Sequence, residues 1–288
     1  MIDKIMLEED MSKIYIIAEI GINHNGSVDT AKQLILKSKN AGCNAVKFQK
    51  RDINSVYTQE ELDSLRESPW GKSNRDQKLG LELSIDDYVD LYGYTKQLGL
   101  DFGVSCWDLV SLQLIENHLN VDFHKVASAL LTHKTFLHAL AETRKPIILS
   151  TGMSTQEEID KAVDILGNNL THVLACTSTY PSKPDEINLR YIDTLKYRYP
   201  NKKIGFSNHY NGHDACIAAT ARSAECIEFH ITLDRTMYGS DQSASIENAD
   251  VLVSGIRNIE KMLGTGEKTV YATEVPILKK LRKVFDLA

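Results

Sequence analysis

The stretch DFGVSCWDLVSLQLIENHLNVDFHKVAS, residues 101–128, contains two short apolar runs with a helical segment between them. The runs 101–106 and 123–128 have the length and the Val and Phe content of strands that are buried on both faces. Residues 108–119 have the length of one helix. The stretch therefore predicts a strand–helix–strand unit with parallel strands.

The same alternation continues in both directions along the chain of 288 residues. Strand-like runs occupy residues 14–21, 45–49, 101–106, 123–128, 146–151, 172–177, 203–207 and 226–232. Segments suited to one helix each lie at 27–41, 84–98, 108–119, 132–143, 155–166, 188–199, 213–224 and 248–263, several with Ser or Thr at the start and Gly at the end. Eight strands alternating with eight helices predict an α/β fold, the closed (β/α)8 TIM barrel, as a single domain.

Three stretches fall outside this alternation. Residues 1–12 form an acidic N-terminal extension, and residues 273–288 are predicted to form a final helix rich in lysine. Residues 52–81 are predicted to be a long polar loop, and loops of this size often serve as lids or binding loops.

The amino-acid composition and charge argue against several classes of protein. Hydrophobic residues make up 42% of the chain and charged residues 25%, as in ordinary globular proteins. The net charge of −6 argues against nucleic acid or a membrane surface as partner, and no apolar run reaches the roughly 20 residues of a membrane span. The start of the chain lacks the pattern of a signal peptide, and the five cysteines form no CxxC pair. We therefore expect a cytoplasmic protein with reduced, mostly buried thiols.

Polar side chains stand at the carboxyl end of every predicted strand, where barrels carry their active sites. They are Glu19, Lys47, Gln49, Ser105, Lys125, Ser128, Ser150, Ser178, Tyr180, Ser207, His209, Glu228 and His230. Each alone has a structural explanation, because serine often caps a helix and lysine can reach the rim of a barrel. Together, two lysines and several hydroxyls at one mouth predict an anion site, with phosphate as the natural occupant.

His209 and His230 come from adjacent predicted strand ends. Such a pair can hold a metal ion, or it can hydrogen bond within a pocket. Their positions alone leave both interpretations open.

Several motifs then show a family resemblance. They are AEIGINH (18–24), VKFQ (46–49), ILSTGM (148–153), CTSTYP (176–181), FSNH (206–209) and FHITLDRTMYGSD (229–241). In this order, from about residue 14 to 265, they resemble the sialic acid (N-acetylneuraminate) synthase family. The resemblance implies a TIM barrel that condenses phosphoenolpyruvate with a sugar aldehyde, N-acetylmannosamine or a related aldose. The products would be a 3-deoxy-2-ulosonic acid and phosphate, and a divalent metal would be required, Mn²⁺ with Mg²⁺ or Co²⁺ as alternatives.

The resemblance also implies roles for individual residues. His209 and His230 would hold the metal. Phosphoenolpyruvate would bind at Lys47, Lys125, Ser128, Ser150, Ser178 and Ser207, with Ser105 among the substrate-binding residues. The sugar would face Glu19, Gln49, Tyr180 and Asp241. Glu19, Lys47, Lys125 and Asp241 are the expected catalytic residues.

The chain departs from the family pattern in two ways. Residues 127–130 read ASAL where the family has GSGE, and residues 105–107 read SCW where the family has STP. The family also continues into a small antifreeze-like domain, whereas this sequence ends at Ala288. We therefore expect the barrel domain only, an altered sugar half of the site, a homodimer as in the family, and a separate lid protein as a further candidate partner.

Three alternatives stay open. An eight-carbon 3-deoxy sugar acid synthase acting on a pentose phosphate would need a second phosphate subsite, and no extra basic cluster is obvious near Asp241. A class I aldolase would use Lys47 or Lys125 as a Schiff base. A non-catalytic sugar- or phosphate-binding barrel would explain Leu130 in place of the family's glutamate.

Overall fold

Eight parallel strands close into a barrel in which each strand pairs with the next along the chain and the last pairs with the first. The computed structural model describes residues 14–283. The strands are β1 (Tyr15–Gly21), β2 (Ala45–Lys50), β3 (Asp101–Cys106), β4 (Phe123–Val126), β5 (Ile147–Ser150), β6 (Leu170–Cys176), β7 (Lys203–Asn208) and β8 (Cys226–His230). The predicted (β/α)8 barrel is confirmed.

A helix follows each strand on the outside of the barrel. The helices are α1 (Val28–Ala41), α2 (Ile85–Gln97), α3 (Leu109–His118), α4 (Lys134–Glu142), α5 (Gln156–Leu166), α6 (Tyr191–Arg198), α7 (Asp214–Ala221) and α8 (Ala249–Leu263). Several of these helices begin at a residue whose side chain caps the first turn. The hydroxyls of Ser27, Ser84 and Thr155 each accept a hydrogen bond from a backbone N–H of that turn.

The inside of the barrel consists of an apolar layer below a polar one. The apolar layer contains Ile17, Ala45, Phe123, Ile148, Leu174 and Cys226. Side chains alternate along a strand, so residues two positions further on point to the same side. These are Glu19, Lys47, Lys125, Ser150, Cys176 and Glu228. The apolar layer therefore seals the barrel beneath a ring of polar groups at the carboxyl ends of the strands.

Residues 52–81, here called the β2 insertion, are structured, so the prediction of a loop was wrong. They form the short helices Ile53–Val56, Gln59–Asp63 and Asn74–Leu81 and a hairpin of Leu65–Ser68 with Gly71–Ser73. Two of the helices begin with reciprocal capping boxes, Thr58 with Glu61 and Ser73 with Asp76. Leu62 and Leu81 are buried and anchor the insertion.

The C-terminal segment is helical over Val275–Leu281, so the described part of the predicted final helix is shorter than expected. The predicted extension 1–12 and the last residues of 273–288 lie outside the described residues. Within residues 14–283, no helix combines the length and apolarity that crossing a membrane requires. All five cysteines are free thiols; four are buried and Cys176 is half-buried.

Candidate active site

Two lysines and two glutamates form a buried charge cluster in the polar layer. Lys47 Nζ lies 2.6 Å from Glu19 Oε2, an ion pair without the alignment of a good hydrogen bond. Glu228 stands between the lysines, 3.7 Å from Lys47 Nζ and 3.7 Å from Lys125 Nζ. All four side chains are nearly inaccessible to solvent, and such charges are tolerated in an interior because they neutralise one another.

Two members of the cluster, Glu228 and Lys125, have shifted pKa values. Burial alone would raise the pKa of Glu228, but the ammonium groups of Lys125 and Lys47 outweigh burial and the pKa is lowered. Burial lowers the pKa of Lys125, with Glu228 acting in the opposite direction. Glu228 is therefore a carboxylate at neutral pH and helps to keep Lys125 charged.

Serine hydroxyls surround the lysines. Lys47 Nζ donates to Ser105 Oγ at 3.0 Å, and Lys125 Nζ donates to Ser150 Oγ at 2.6 Å. Ser128 Oγ accepts from the Gly152 N–H at 3.0 Å, and Ser178 Oγ is buried without a hydrogen-bond partner. Since a buried hydroxyl without a partner is unfavourable, Ser178 is available to a ligand.

The two histidines lie side by side, with ring centroids 5.3 Å apart. His209 Nδ1 is 2.6 Å from the Thr177 carbonyl oxygen, so it carries the proton and leaves Nε2 free. His230 Nδ1 is buried without a hydrogen-bond partner and lies 3.8 Å from Asp241 Oδ2. Tyr180 covers the pair, its ring centroid 4.0 Å from that of His209.

This arrangement fits a metal ion bound by two imidazoles. The free Nε2 of His209 and the unpartnered nitrogen of His230 would be the donors, and an oriented tautomer is typical of ligating histidine. Residues 14–283 contain no group of three or more His, Cys, Asp or Glu side chains placed to hold a metal. A metal here would therefore take its remaining ligands from water or substrate.

All predicted site residues except Asp241 line one inner pocket of about 180 Å³. Asp241 lines an adjoining outer pocket of about 240 Å³, which shares Gln49, Trp107 and Tyr180 with the inner one. Leu130, which replaces the family's glutamate, is buried in the core, and Ala129 lines the inner pocket instead. The inner pocket therefore has no carboxylate from this position.

The structure adds residues that sequence reasoning missed. Glu228 was noted at a strand end without a role, although it lies two positions before His230 and therefore on the same face. Arg51 and Lys78 line the outer pocket beside Asp241, so the expectation of no extra basic cluster there was wrong. Lys78 reaches the pocket because the β2 insertion folds over the barrel mouth, which the sequence did not indicate.

A larger cavity of about 690 Å³ lies at the opposite, amino end of the barrel, lined by residues such as Tyr15 and His172. It contains none of the predicted site residues. Because barrel enzymes carry their chemistry at the carboxyl ends of the strands, the inner and outer pockets are the candidate site.

Fold and site together define a TIM-barrel protein with a buried site for an anionic substrate beside a histidine pair. The sequence profile of the NeuB family matches residues 34–268, and the chain belongs to this family. The N-acetylneuraminate-9-phosphate synthase of Mus musculus is 36% identical in an alignment of 276 residues, which covers 93% of this chain and 76% of the relative. The N,N'-diacetyllegionaminic acid synthase of Campylobacter jejuni is 34% identical over 284 residues, 95% of this chain and 84% of the relative.

A solved structure supports the same assignment. The N-acetylneuraminic acid synthetase of Leptospira borgpetersenii is 30% identical and superposes with a TM-score of 0.78, covering 94% of this chain and 93% of that one. The predicted resemblance is therefore confirmed, and the chain is an enzyme of the sialic acid synthase class.

Proposed function

We propose that this enzyme condenses phosphoenolpyruvate with the aldehyde of a hexosamine-type sugar, giving a sialic-acid-like 3-deoxy-2-ulosonic acid and phosphate. The observation that carries the proposal is the meeting, in one buried pocket, of Lys47 and Lys125 with the His209–His230 pair. The lysines and serines suit a phosphate and a carboxylate, and the histidines suit an aldehyde-activating metal. The names of the relatives support the class of product.

A divalent metal, which we propose to be Mn²⁺, would be held by His209 and His230 and would supply a Lewis acid for the aldehyde oxygen. Phosphoenolpyruvate would be oriented through its charged groups by two pairs of residues, Lys125 with Ser150 and Lys47 with Ser105. Because these ammonium groups are already paired with glutamates, they would be positioned before the substrate arrives.

The reaction forms a bond between C3 of phosphoenolpyruvate and the aldehyde carbon, and water adds at C2. The bond between C2 and the phosphate oxygen then breaks, so phosphate leaves and C2 becomes a ketone. One proton of the water ends on the new sugar hydroxyl and the other on the departing phosphate.

We propose Glu19 as the group that moves the water's proton. Glu19 Oε1 accepts a hydrogen bond from Gln49 Nε2 at 2.6 Å, and Oε2 pairs with Lys47. These contacts hold the carboxylate in the inner pocket, between the lysine and the sugar-facing Gln49.

The test is phosphate release from phosphoenolpyruvate and Mn²⁺ with a panel of aldoses. We expect release with an N-acylated hexosamine or its phosphate, and a fall of at least about 100-fold in His209→Ala and His230→Ala. The exposed His138 gives a matched control, His138→Ala, which should retain wild-type activity.

Other outcomes would separate the alternatives. Release only with a pentose phosphate would identify an eight-carbon acid synthase. Binding of phosphoenolpyruvate without release for any sugar would support a binding-only barrel. Borohydride trapping of a substrate on Lys47 or Lys125 would indicate aldolase chemistry.

We also propose that the enzyme is a homodimer, as the family resemblance implies. Sedimentation velocity should give the mass of two chains. A single-chain mass across the accessible concentration range would contradict this proposal.

A further inference from the structure

Gln49 connects the proposed catalytic carboxylate to the outer pocket. Its side-chain nitrogen Nε2 donates to Glu19 Oε1 at 2.6 Å, and its oxygen Oε1 accepts from Arg51 Nη2 at 2.5 Å. Glu19 lines the inner pocket, Arg51 lines the outer pocket, and Gln49 lines both. A hydrogen-bonded chain of three side chains therefore crosses the boundary between the two pockets.

Arg51 determines which way the Gln49 amide points. The two ends of a glutamine amide are nearly equal in size, so packing alone distinguishes them poorly. A guanidinium can only donate hydrogen bonds, and it therefore requires the oxygen end of the amide. The nitrogen end is then left for Glu19, whose ionised carboxylate can only accept. In the reversed orientation, two oxygens would face each other at Glu19 and two donors at Arg51.

Arg51 is held in place by contacts other than the one with Gln49. Its guanidinium stacks on the Trp107 ring, with the central carbon 4.1 Å from the ring centroid. Its backbone N–H donates to Glu82 Oε2 at 3.3 Å, and the residue directly follows the last residue of β2. A planar, stacked guanidinium loses little freedom when it forms a further hydrogen bond. Arg51 is therefore a rigid donor for the amide oxygen.

The Glu19 end of this chain is tightly packed. Gly21 has a φ of +55°, and a Cβ atom there would lie 3.0 Å from Gln49 Nε2 and 3.0 Å from Glu19 Oε1. Glu19 Oε2 lies 2.6 Å from Lys47 Nζ, and the glutamate is only 1% exposed. Each carboxylate oxygen thus has its own partner, Gln49 or Lys47, and the loss of either partner would let the carboxylate turn.

We infer that Arg51 is a positioning residue for the reaction, which acts on Glu19 through Gln49. This inference rests on the proposed function, in which Glu19 moves the proton of the water. Without Arg51 the amide could turn its oxygen towards Glu19, and the repulsion between the two oxygens would displace the carboxylate from its working position. Although Arg51 lines the outer pocket, its loss should therefore lower kcat more than it raises the KM of either substrate.

The first experiment measures phosphate release by Arg51→Met and Arg51→Lys. In Arg51→Met we expect kcat to fall at least about tenfold, as for one hydrogen bond to a charged group, with KM for phosphoenolpyruvate within about twofold of wild type. Arg51→Lys retains a charged donor for the Gln49 oxygen and should keep kcat within about threefold of wild type. Arg190→Met, at an exposed position that lines neither pocket, is the matched control and should retain wild-type kcat.

The second experiment is a double-mutant cycle with Gln49→Met, which removes the amide and keeps a side chain of similar length. If Arg51 acts through Gln49, Arg51→Met should have no further effect on kcat in the Gln49→Met background. A further fall of about tenfold in that background would show that Arg51 acts independently of the amide, and it would overturn the inference.

The remaining outcomes separate this inference from the proposed reaction. An unchanged kcat in Arg51→Met, or an effect confined to the KM of the sugar, would overturn the inference and leave the proposed reaction intact. Failure of the wild-type enzyme to release phosphate with any sugar would contradict the proposed reaction and the inference with it. Coincident urea unfolding curves for Arg51→Met and Arg51→Lys would exclude a folding defect as the cause of their difference in kcat.

Discussion

Gly152 follows β5 at a point where two serine hydroxyls converge. A Cβ atom at this position would collide with Ser178 Oγ and lie 2.8 Å from Ser128 Oγ. The backbone N–H of Gly152 donates to Ser128 at 3.0 Å. The missing side chain therefore leaves space for the hydroxyls that we assign to phosphoenolpyruvate.

We predict that Gly152→Ala raises KM for phosphoenolpyruvate about tenfold, because the methyl group displaces the Ser178 hydroxyl and costs roughly one charge-assisted hydrogen bond. Steady-state kinetics with phosphoenolpyruvate as the varied substrate would measure this. Gly93→Ala is the control, since its Cβ would meet no atom within 4 Å and alanine favours a helix. An unchanged KM in Gly152→Ala would remove these serines from the binding site.

At the residue scale, the sequence predicted the site residues that lie on barrel strands. It did not predict the pocket residues whose position depends on how the β2 insertion folds. Lys47, Lys125 and His230 were predictable because each belongs to a predicted strand, and the strands of a barrel converge on one interior. Arg51 and Lys78 are far apart in sequence and share no pattern. Their proximity depends on where one short helix lies, which hydrophobic periodicity does not specify.

The β2 insertion is fastened to the barrel mouth by Trp70. Its indole contacts the Tyr238 ring in the loop after β8, with centroids 5.5 Å apart. It also lies so close to Gly80 that a Cβ there would collide with it. Trp70 therefore links the hairpin of the insertion both to the helix that carries Lys78 and to the loop that carries Asp241.

We predict that Trp70→Ala loosens the insertion by about 2 kcal/mol, less than the cost of removing a core tryptophan, because Trp70 is half-buried. Amide hydrogen exchange should accelerate in residues 53–81, and KM for the sugar should rise while binding of phosphoenolpyruvate stays unchanged. The comparison is Leu65→Ala, because Leu65 is 92% exposed in the same hairpin. Unaltered exchange in Trp70→Ala would mean that other contacts hold the insertion.

At the element scale, the barrel strands and helices were predictable because each carries several buried apolar residues at a regular period. The helices of the insertion have four to eight residues, too few for a period to show. Only their capping boxes, such as Thr58 with Glu61, mark them in the sequence. The prediction of a loop followed from this lack of periodicity.

His24 and His172, at opposite ends of the barrel, are among the histidines that folding keeps neutral. Burial lowers the pKa of His24, after β1, and of His172, in β6, from 6.5 to about 4. The unfolded chain therefore binds more protons than the native state between these pH values. The contribution of these two histidines to stability is fully present above pH 6.5 and is lost as the pH falls towards 4.

We predict that lowering the pH from 7 to 4 reduces the free energy of unfolding by about 3 kcal/mol for each of these histidines. In His172→Gln the part that is due to His172 should be absent. Urea unfolding of wild type and variant between pH 7 and pH 4 would measure the difference in slope. His118→Gln, at an exposed position on α3, should follow the wild type. Parallel pH profiles for wild type and His172→Gln would contradict the assignment.

At the scale of the molecule, the closed barrel was predictable from the count and order of elements alone. The barrel closes when each strand pairs with its neighbour and β8 pairs with β1. The register between strands follows from the apolar layer that their side chains form inside the barrel. The amino-end cavity and the outer pocket were not predictable, because they depend on loops and side-chain packing between elements.

The inner pocket is built by the barrel strands and by the residues that follow them, whereas Tyr57 and Lys78 of the outer pocket come from one uninterrupted stretch of chain. An evolving lineage that altered residues 52–81 would therefore reshape one wall of the outer pocket, while the residues of the inner pocket stay as they are. The same division makes this stretch a unit for transplantation between related barrels, in which the graft would replace one wall of the outer pocket and leave the recipient's Tyr180 and Asp241 positions in place.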